Sequence, residues 1–194
     1  MMKLKSLVFA AVAALVATGS AKADDRYDIF NFNKFFGGGN VGVVGSSSPI
    51  GRQVVSIDPK YAPGNIVVNT SERRLYFVTS RGQAIRYGIG VGRDGFRWSG
   101  VKTVSAKKEW PSWTPPAQML KRRPDLPRYM PGGLDNPLGA RAMYLGSSLY
   151  RIHGSNEPET IGQAVSSGCF RMTNDDVVDL YNRVRVGATV YVLR

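Results

Sequence analysis

Short apolar runs separated by turn residues dominate the middle of the chain and constrain its fold most. Ile66-Val67-Val68, Leu75-Tyr76-Phe77-Val78 and the segment 84–91 are rich in β-branched and aromatic residues, which favour strands. Thr70-Ser71-Glu72 and Ser80-Arg81-Gly82 lie between them and are typical of tight turns. Four further strands are predicted over residues 101–109, 141–145, 149–152 and 188–193. The chain is therefore predicted to be mainly β.

One principal helix is predicted near the C-terminal end, over residues 174–185. Thr173 supplies a capping hydroxyl and Asp176, three residues later, completes a capping box. The apolar face of this helix is predicted from its periodicity and consists of Val177, Leu180, Tyr181 and Val184. A shorter helix is predicted over residues 117–123, inside a long insertion punctuated by proline and glycine.

The first 23 residues have the pattern of a signal peptide. Lys3 and Lys5 precede an apolar run from Leu7 to Ala17, and Ala21-Lys22-Ala23 fits an A-x-A cleavage site. This run is too short to span a bilayer, which needs about 20 residues. Export to the periplasm, with cleavage near Ala23, is therefore predicted.

The rest of the chain is predicted to have two parts. Residues 24–63 are rich in glycine and serine, contain several phenylalanines, and are predicted to be a flexible segment. A short strand is expected within it, over residues 53–57. Residues 64–194 are predicted to form one folded domain.

The chain is strongly basic, with a formal charge of +12. Loss of Lys3, Lys5 and Lys22 with the leader lowers that charge by three, to +9. A basic surface favours anionic partners. Nucleic acid is excluded as a predicted partner, because the protein is predicted to be exported and no recognition motif is present. Carboxylate-rich peptides or an anionic membrane surface fit better, and a merely solvated basic face is the alternative.

His153 and Cys169 are the only histidine and the only cysteine in the chain. Either residue alone is more often structural than catalytic, but both lie beside glycine, and an unpaired cysteine in an exported protein is notable. A neighbouring imidazole can take the thiol proton and create a nucleophile. One histidine and one cysteine cannot build a zinc site of the usual type, so no metal and no cofactor are predicted.

Gly90-Val91-Gly92-Arg93-Asp94-Gly95 matches the glycine pattern of dinucleotide-binding sites. That pattern binds a pyrophosphate only where it opens a helix. Residues 96–100 show no helical periodicity. The glycines are therefore predicted to shape a loop.

The segment Ser166-Ser167-Gly168-Cys169-Phe170-Arg171-Met172, with His153-Gly154 upstream, resembles the signature of the L,D-transpeptidase catalytic domain of bacterial cell-wall enzymes. The flanking segments 136–145, 154–158 and 160–162 agree, and the resemblance runs from about residue 65 to 194. Ser167 stands where many members carry a histidine, although serine also occurs there. The resemblance implies a mainly β sandwich or barrel, with a lid insertion and one principal C-terminal helix. Three lid aromatics either line the cleft or pack the lid down: Trp110, Trp113 and Tyr129.

The resemblance also implies residue roles. Cys169 is the expected nucleophile and His153 the expected proton acceptor and donor. The backbone at Gly168 is expected to stabilise the oxyanion, and Gly154 to contact substrate. A backbone carbonyl is expected to orient His153, because no acidic residue is adjacent to it.

Three more side chains are expected near the substrate, each with an alternative. Arg171 is expected to clamp a substrate carboxylate, or else to pair with Asp175 or Asp176. Ser166 and Ser167 are expected to orient the histidine or contact substrate, or else to satisfy loop backbone groups.

The function implied by the resemblance is that of an exported L,D-transpeptidase. Its donor is the tetrapeptide stem of peptidoglycan, and its acceptor is an amine on another stem or on an envelope protein. Carbapenems are implied as covalent inhibitors. The alternatives are an L,D-carboxypeptidase, in which water resolves the thioester, and a non-catalytic wall-binding module.

Overall fold

A computed structural model describes residues 48–194, which contain eleven strands and two α-helices. The strands are β1 (Gln53–Ser56), β2 (Ile66–Asn69), β3 (Arg74–Ser80), β4 (Gln83–Gly88), β5 (Val91–Gly92), β6 (Gly100–Glu109), β7 (Arg141–Leu145), β8 (Arg151–His153), β9 (Ala164–Ser166), β10 (Phe170–Arg171) and β11 (Thr189–Leu193). The helices are α1 (Ala117–Arg122) and α2 (Asn174–Arg183). The predicted mainly β fold with one principal C-terminal helix is confirmed.

Nine strands form one mixed sheet in the order β1-β4-β3-β2-β11-β6-β7-β8-β10. The long strand β6 joins its two halves, because residues near its start pair with β11 and its later residues pair with β7. A register shift between Val104 and Ala106 accompanies this change of partner. Strands β8 and β10 consequently lie at one edge of the sheet, and β1 lies at the other.

The predicted hairpins are present, with β2, β3 and β4 paired antiparallel in succession. Two details differ from the prediction. The strand expected over 84–91 ends at Gly88, and Val91–Gly92 pairs instead with β9 as a separate parallel ladder. Residues 160–165 were expected to be a helical turn or loop, but only Pro158–Thr160 forms a 3₁₀ turn, and Ala164–Ser166 is a strand. The ladder to β5 supplies the hydrogen bonds that favour this extended conformation.

Helix α2 packs its predicted apolar face inward. Val177 and Leu180 are fully buried, and Val184, at the helix end, is nearly so. The Thr173 hydroxyl caps the helix by accepting from the Asp176 N–H at 3.3 Å. The carboxylate of Asp176 pairs with Arg52 at 3.1 Å, so completion of a capping box by Asp176 stays a prediction. The helix is thus held both by the core and by a buried ion pair.

The segment just before the predicted domain boundary contains the short strand expected over residues 53–57. Strand β1 pairs with β4 over four residues. Arg52, just before it, reaches both Asp176 and Asp179 of α2, each at 3.1 Å. The predicted signal peptide and residues 24–47 lie outside the described residues. Within residues 48–194, no helix combines the length and apolar character needed to cross a membrane.

Candidate active site

Strands β8 and β10 bring the two candidate catalytic residues to neighbouring positions. The strands pair in parallel, with Ile152 opposite Phe170 and His153 opposite Arg171. Ile152 and Phe170 point into the core, where both are almost completely buried. Side chains alternate along a strand, so His153 and Arg171 lie on the opposite face. Cys169 directly precedes β10 and shares that face by the same alternation.

The imidazole of His153 is buried, with 5% of the residue exposed. Its Nδ1 lies 2.6 Å from the carbonyl oxygen of Gly154. A carbonyl oxygen can only accept, so we assign the proton to Nδ1 and the lone pair to Nε2. The predicted orientation of His153 by a backbone carbonyl is confirmed.

The pKa of His153 is lowered from 6.5 to about 3, chiefly by burial. The positive charges of Arg171 and Arg151 contribute to this shift, and the Gly154 carbonyl opposes it. The ring is therefore neutral at physiological pH. A neutral imidazole with a free Nε2 can accept a proton, as a general base must.

Gly154 is itself buried. A Cβ at this position would lie 3.0 Å from the Ala140 nitrogen, and it would also collide with the Asn174 amide oxygen. Glycine is therefore required for packing between β7 and the start of α2. Gly154 was expected to contact substrate. That contact stays a prediction, and the burial of Gly154 does not support it.

The thiol of Cys169 points toward a backbone carbonyl in this structure. Its Sγ donates to the oxygen of Leu149 at 3.6 Å. Burial raises the pKa of the Cys169 thiol, while hydrogen bonds from the Arg151 backbone and guanidinium, and the charges of Arg151 and Arg171, lower it. Burial is the largest effect, so the resting group is a neutral thiol.

Arg151 was missed in the sequence analysis. It lies two residues before His153 on β8 and acts on the Cys169 thiol through both its backbone and its side chain. The strand alternation that places His153 on the site face also places Arg151 there. That alternation was the available signal.

Ser166 shapes the turn that carries the nucleophile. Its hydroxyl donates to the Cys169 carbonyl at 2.6 Å and accepts from the Gly168 N–H at 3.1 Å. The expected alternative, in which Ser166 satisfies loop backbone, is therefore the one observed. The Gly168 N–H already donates to the Ser166 hydroxyl. It could stabilise an oxyanion only after releasing that hydrogen bond, so the oxyanion role of Gly168 stays a prediction.

Trp98 supports the same turn from a distant part of the chain. Its indole N–H donates to the Gly168 carbonyl at 2.8 Å across 70 residues of sequence. The ring stacks on Tyr150 with centroids 4.5 Å apart and leans on Phe170 at 5.6 Å. Gly168 has a φ of +107°, and a Cβ there would meet Tyr150 at 2.6 Å. The sequence analysis missed Trp98, because no local pattern reports a contact of this range.

Arg171 makes an ion pair with Glu157, a partner that the sequence analysis did not consider. Its guanidinium binds the Glu157 carboxylate at 2.7 Å. Asp176 pairs with Arg52 instead, because α2 turns that carboxylate toward β1. Binding of a substrate carboxylate by Arg171 stays a prediction, as does substrate contact by Ser167, which is half-buried.

The glycine-rich segment 90–95 is only partly a loop, because Val91–Gly92 forms strand β5 and only residues 93–95 turn as predicted. No helix follows it, since the next element is strand β6. A Cβ at Gly92 would lie 3.2 Å from the Gly168 Cα and 2.7 Å from the Phe96 carbonyl oxygen. The loop therefore packs closely behind the catalytic turn. Within residues 48–194, no three His, Cys, Asp or Glu side chains lie together as a metal site would require.

The predicted lid is an irregular insertion closed by its own backbone bonds. Trp113 and Met130 exchange two hydrogen bonds of 2.8 Å. Trp110 and Tyr129 are 43% and 60% exposed, so they do not pack the lid down. Lining of the cleft by these aromatics stays a prediction.

Comparison with known proteins agrees with this geometry. The model of the YkuD family, described as the L,D-transpeptidase catalytic domain, matches residues 63–192. A probable L,D-transpeptidase ErfK/SrfK of Escherichia coli (strain K12) is 39% identical over 158 residues, which cover 77% of this chain and 49% of that protein. The chain spans about half the length of such curated relatives.

Two solved structures are also similar. One, from Brucella melitensis, is named a probable carnitine operon oxidoreductase caia; it is 46% identical with a TM-score of 0.50, over 71% of this chain and 89% of that one. The other is L,D-transpeptidase 3 from Mycobacterium tuberculosis in complex with a faropenem-derived adduct. It is 18% identical with a TM-score of 0.50, over 66% of this chain and 59% of that one, and this likeness shows the fold alone.

The oxidoreductase name stays with the Brucella protein, because the glycine loop of this chain opens no helix that could hold a dinucleotide. The family model covers most of the described residues, and both His153 and Cys169 fall inside the match. The chain therefore belongs to the YkuD family, the enzymes with an L,D-transpeptidase catalytic domain.

Proposed function

We propose that this protein is an exported L,D-transpeptidase that acts on peptidoglycan stem peptides through a thioester on Cys169. One observation carries the proposal. The register of β8 and β10 places His153 and Cys169 on one face, and the Gly154 carbonyl leaves Nε2 of the ring free. A nucleophile beside an oriented base is the arrangement that acyl transfer by cysteine requires.

The first half-reaction forms the thioester. Nε2 of His153 removes the thiol proton while Sγ of Cys169 attacks the carbonyl between the third residue of the stem and its terminal D-alanine. The C–N bond breaks, and His153 returns the proton to the leaving amine of D-alanine. Burial disfavours both the thiolate and the imidazolium, so proton transfer accompanies attack.

The second half-reaction releases the enzyme. An acceptor amine, on a neighbouring stem or on an envelope protein, attacks the thioester carbonyl. His153 takes a proton from that amine and delivers it to the departing sulfur. A new amide bond forms and the thiol of Cys169 is restored.

We infer that the basic residues of the site bind the acidic stem. Arg171 retains N–H donors beyond its bond to Glu157, since a guanidinium carries five. It lies on the site face next to His153. A carboxylate of the donor stem can therefore bind there, beside the reacting carbonyl.

Carbapenems are proposed as covalent inhibitors of the same thiol. The similar protein from Mycobacterium tuberculosis carries a faropenem-derived adduct. A strained β-lactam carbonyl offers Cys169 the same electrophile as the stem amide. Opening of the lactam by Sγ gives a thioester, and the ring nitrogen takes the proton.

We also propose that the protein works in the periplasm. The support is the charged start, the apolar run and the cleavage pattern ending at Ala23. N-terminal sequencing of the protein recovered from the periplasmic fraction is expected to begin near Asp24. Recovery of the chain in the cytoplasm with its leader intact would contradict export.

The test of function is mass analysis of wall fragments incubated with the purified enzyme, with Cys169→Ala as the matched control. Cross-linked stem dimers that form only with the parent enzyme are the expected result. Trimmed stems without dimers would replace the proposal with L,D-carboxypeptidase activity. If the wall fragments are the same after incubation with the parent enzyme and with Cys169→Ala, the protein is a non-catalytic wall-binding module instead.

A further inference from the structure

Two arginines from different parts of the chain approach one phenyl ring beside the catalytic turn. The guanidinium carbon of Arg93, in the loop after β5, lies 4.5 Å from the ring centroid of Phe96. That of Arg122, the last residue of α1 in the lid insertion, lies 5.2 Å from the same centroid. Both arginines are exposed, while Phe96 is half-buried.

The neighbouring carboxylates are already occupied. Arg97 forms an ion pair with Asp94. Arg123 binds Asp125 at 2.6 Å. Within residues 48–194, neither Arg93 nor Arg122 makes an ion pair. Two like charges on one ring repel each other, so an anion bound nearby would stabilise the arrangement.

Stacking prepares these guanidiniums for binding. A guanidinium over an aromatic face is attracted by the ring, and its planar N–H edge remains available to a carboxylate. The ring thereby fixes side chains that would otherwise lose rotamer freedom on binding. Arg122 belongs to the lid insertion and Arg93 to the loop after β5. The two guanidiniums therefore share the ring only while the lid contacts this loop.

The position of the ring links these arginines to the nucleophile. The Phe96 carbonyl oxygen would lie 3.1 Å from a Cβ on Gly168. Trp98, two residues after Phe96, donates to the Gly168 carbonyl. The loop that carries Arg93 is therefore in direct contact with the turn that carries Cys169.

We propose that Arg93 and Arg122 form a carboxylate-binding subsite for the stem peptide, assembled between the lid and the loop 92–96. The inference rests on the proposed function, because it takes the stem as the anion. It goes beyond that function by assigning recognition to a second pair of basic residues, separate from Arg171. A peptide whose carboxylates are converted to carboxamides should lose this contact.

The test measures binding of the tetrapeptide stem by calorimetry to full-chain Cys169→Ala enzyme, which cannot turn it over. Two versions of the peptide are compared, with free carboxylates and with carboxamides. Arg93→Gln and Arg122→Gln are each expected to weaken binding of the free-carboxylate peptide roughly two- to five-fold, as exposed charge pairs do. The losses should shrink as salt is added. Arg123→Gln, which removes a neighbouring arginine that already has a partner, is the matched control.

The outcomes separate the subsite from the function. Equal affinity of all variants for the free-carboxylate peptide, with their melting temperatures unchanged, would overturn the subsite while leaving the transpeptidase proposal in place. Equal losses for the carboxamide peptide would overturn it as well, since the arginines would not be reading a carboxylate. If the stem peptide does not bind even when Arg93 and Arg122 are both present, the peptide is not the substrate, and the proposed subsite is overturned with it.

Discussion

Trp98 donates its indole N–H to the carbonyl oxygen of Gly168 at 2.8 Å, one residue before the proposed nucleophile. Trp98→Phe removes this bond but keeps an aromatic ring against Tyr150. We expect the change to destabilise the fold by about 1 kcal/mol, the usual net value of one hydrogen bond. Acylation of Cys169 should slow roughly tenfold or more, because small misplacements of a nucleophile are costly.

The measurements are the melting temperature and the rate of Cys169 acylation by mass spectrometry. Trp110→Phe is the control, since Trp110 is 43% exposed and lies in the lid insertion. If the Trp98→Phe acylation rate equals that of the parent enzyme, the bond to Gly168 does not position the turn.

Arg151 should set the reactivity of the thiol. Its backbone and guanidinium both lower the pKa of Cys169 against the effect of burial. Arg151→Met removes the guanidinium contributions, so the thiol pKa should rise further. The pH profile of Cys169 alkylation by iodoacetamide should then move to higher pH. Arg128→Met, at an exposed lid position, should leave the profile in place, and an unmoved profile in Arg151→Met would refute the assignment.

His153 should make the protein less stable in acid. Its folded pKa of about 3 lies below the ordinary value of 6.5, so below pH 6.5 the unfolded chain binds the proton first. Stability from this residue is present above about pH 6.5 and is lost as the pH falls toward 3, by at most about 1.4 kcal/mol per pH unit. Denaturant unfolding of the parent protein and His153→Gln over this range measures the difference. If the free energy of unfolding of the two proteins falls with pH in parallel, His153 is not buried as a neutral ring.

The sequence predicted the principal helix, and singled out His153 and Cys169 as a candidate pair, because these signals are local. His153 and Cys169 are unique in the chain and lie beside glycines. The apolar period of α2 and its Thr173 cap can be read within one short segment. These features do not depend on which distant strands meet.

The parts that were missed depend on long-range pairing. Strand β9 exists because β5 pairs with it, and the bond from Trp98 to Gly168 joins loops 70 residues apart. A short strand near β1 was expected, but its anchor, the ion pair of Arg52 with helix α2, was not. Such contacts leave no periodicity in the sequence itself.

Arg52 should therefore be a stability residue far from the chemistry. Its partner Asp176 has a side chain that is 0% exposed. Arg52→Met leaves this carboxylate buried with less compensation, which typically costs about 3–5 kcal/mol. Lys60→Met, which breaks the exposed pair with Asp58, should change stability by less than about 1 kcal/mol. Chemical denaturation of both variants is the measurement, and similar small losses would show that β1 is not anchored through Arg52.

The central claim is that His153 activates Cys169 as an acyl acceptor. A carbapenem tests it, because its strained carbonyl reports the first half-reaction without any choice of acceptor amine. His153→Ala keeps the thiol but removes its base, and Cys169→Ala removes the thiol itself. A thiol that is merely exposed would not need the histidine.

The decisive measurement is intact-protein mass over time with a carbapenem, followed by peptide mapping of the adduct. We expect the parent enzyme to gain the mass of one drug molecule on Cys169, and His153→Ala to gain it roughly 10²–10⁴ times more slowly, the usual range for general base catalysis. An unchanged mass, an adduct on a lysine, or an equal rate in His153→Ala would contradict the account.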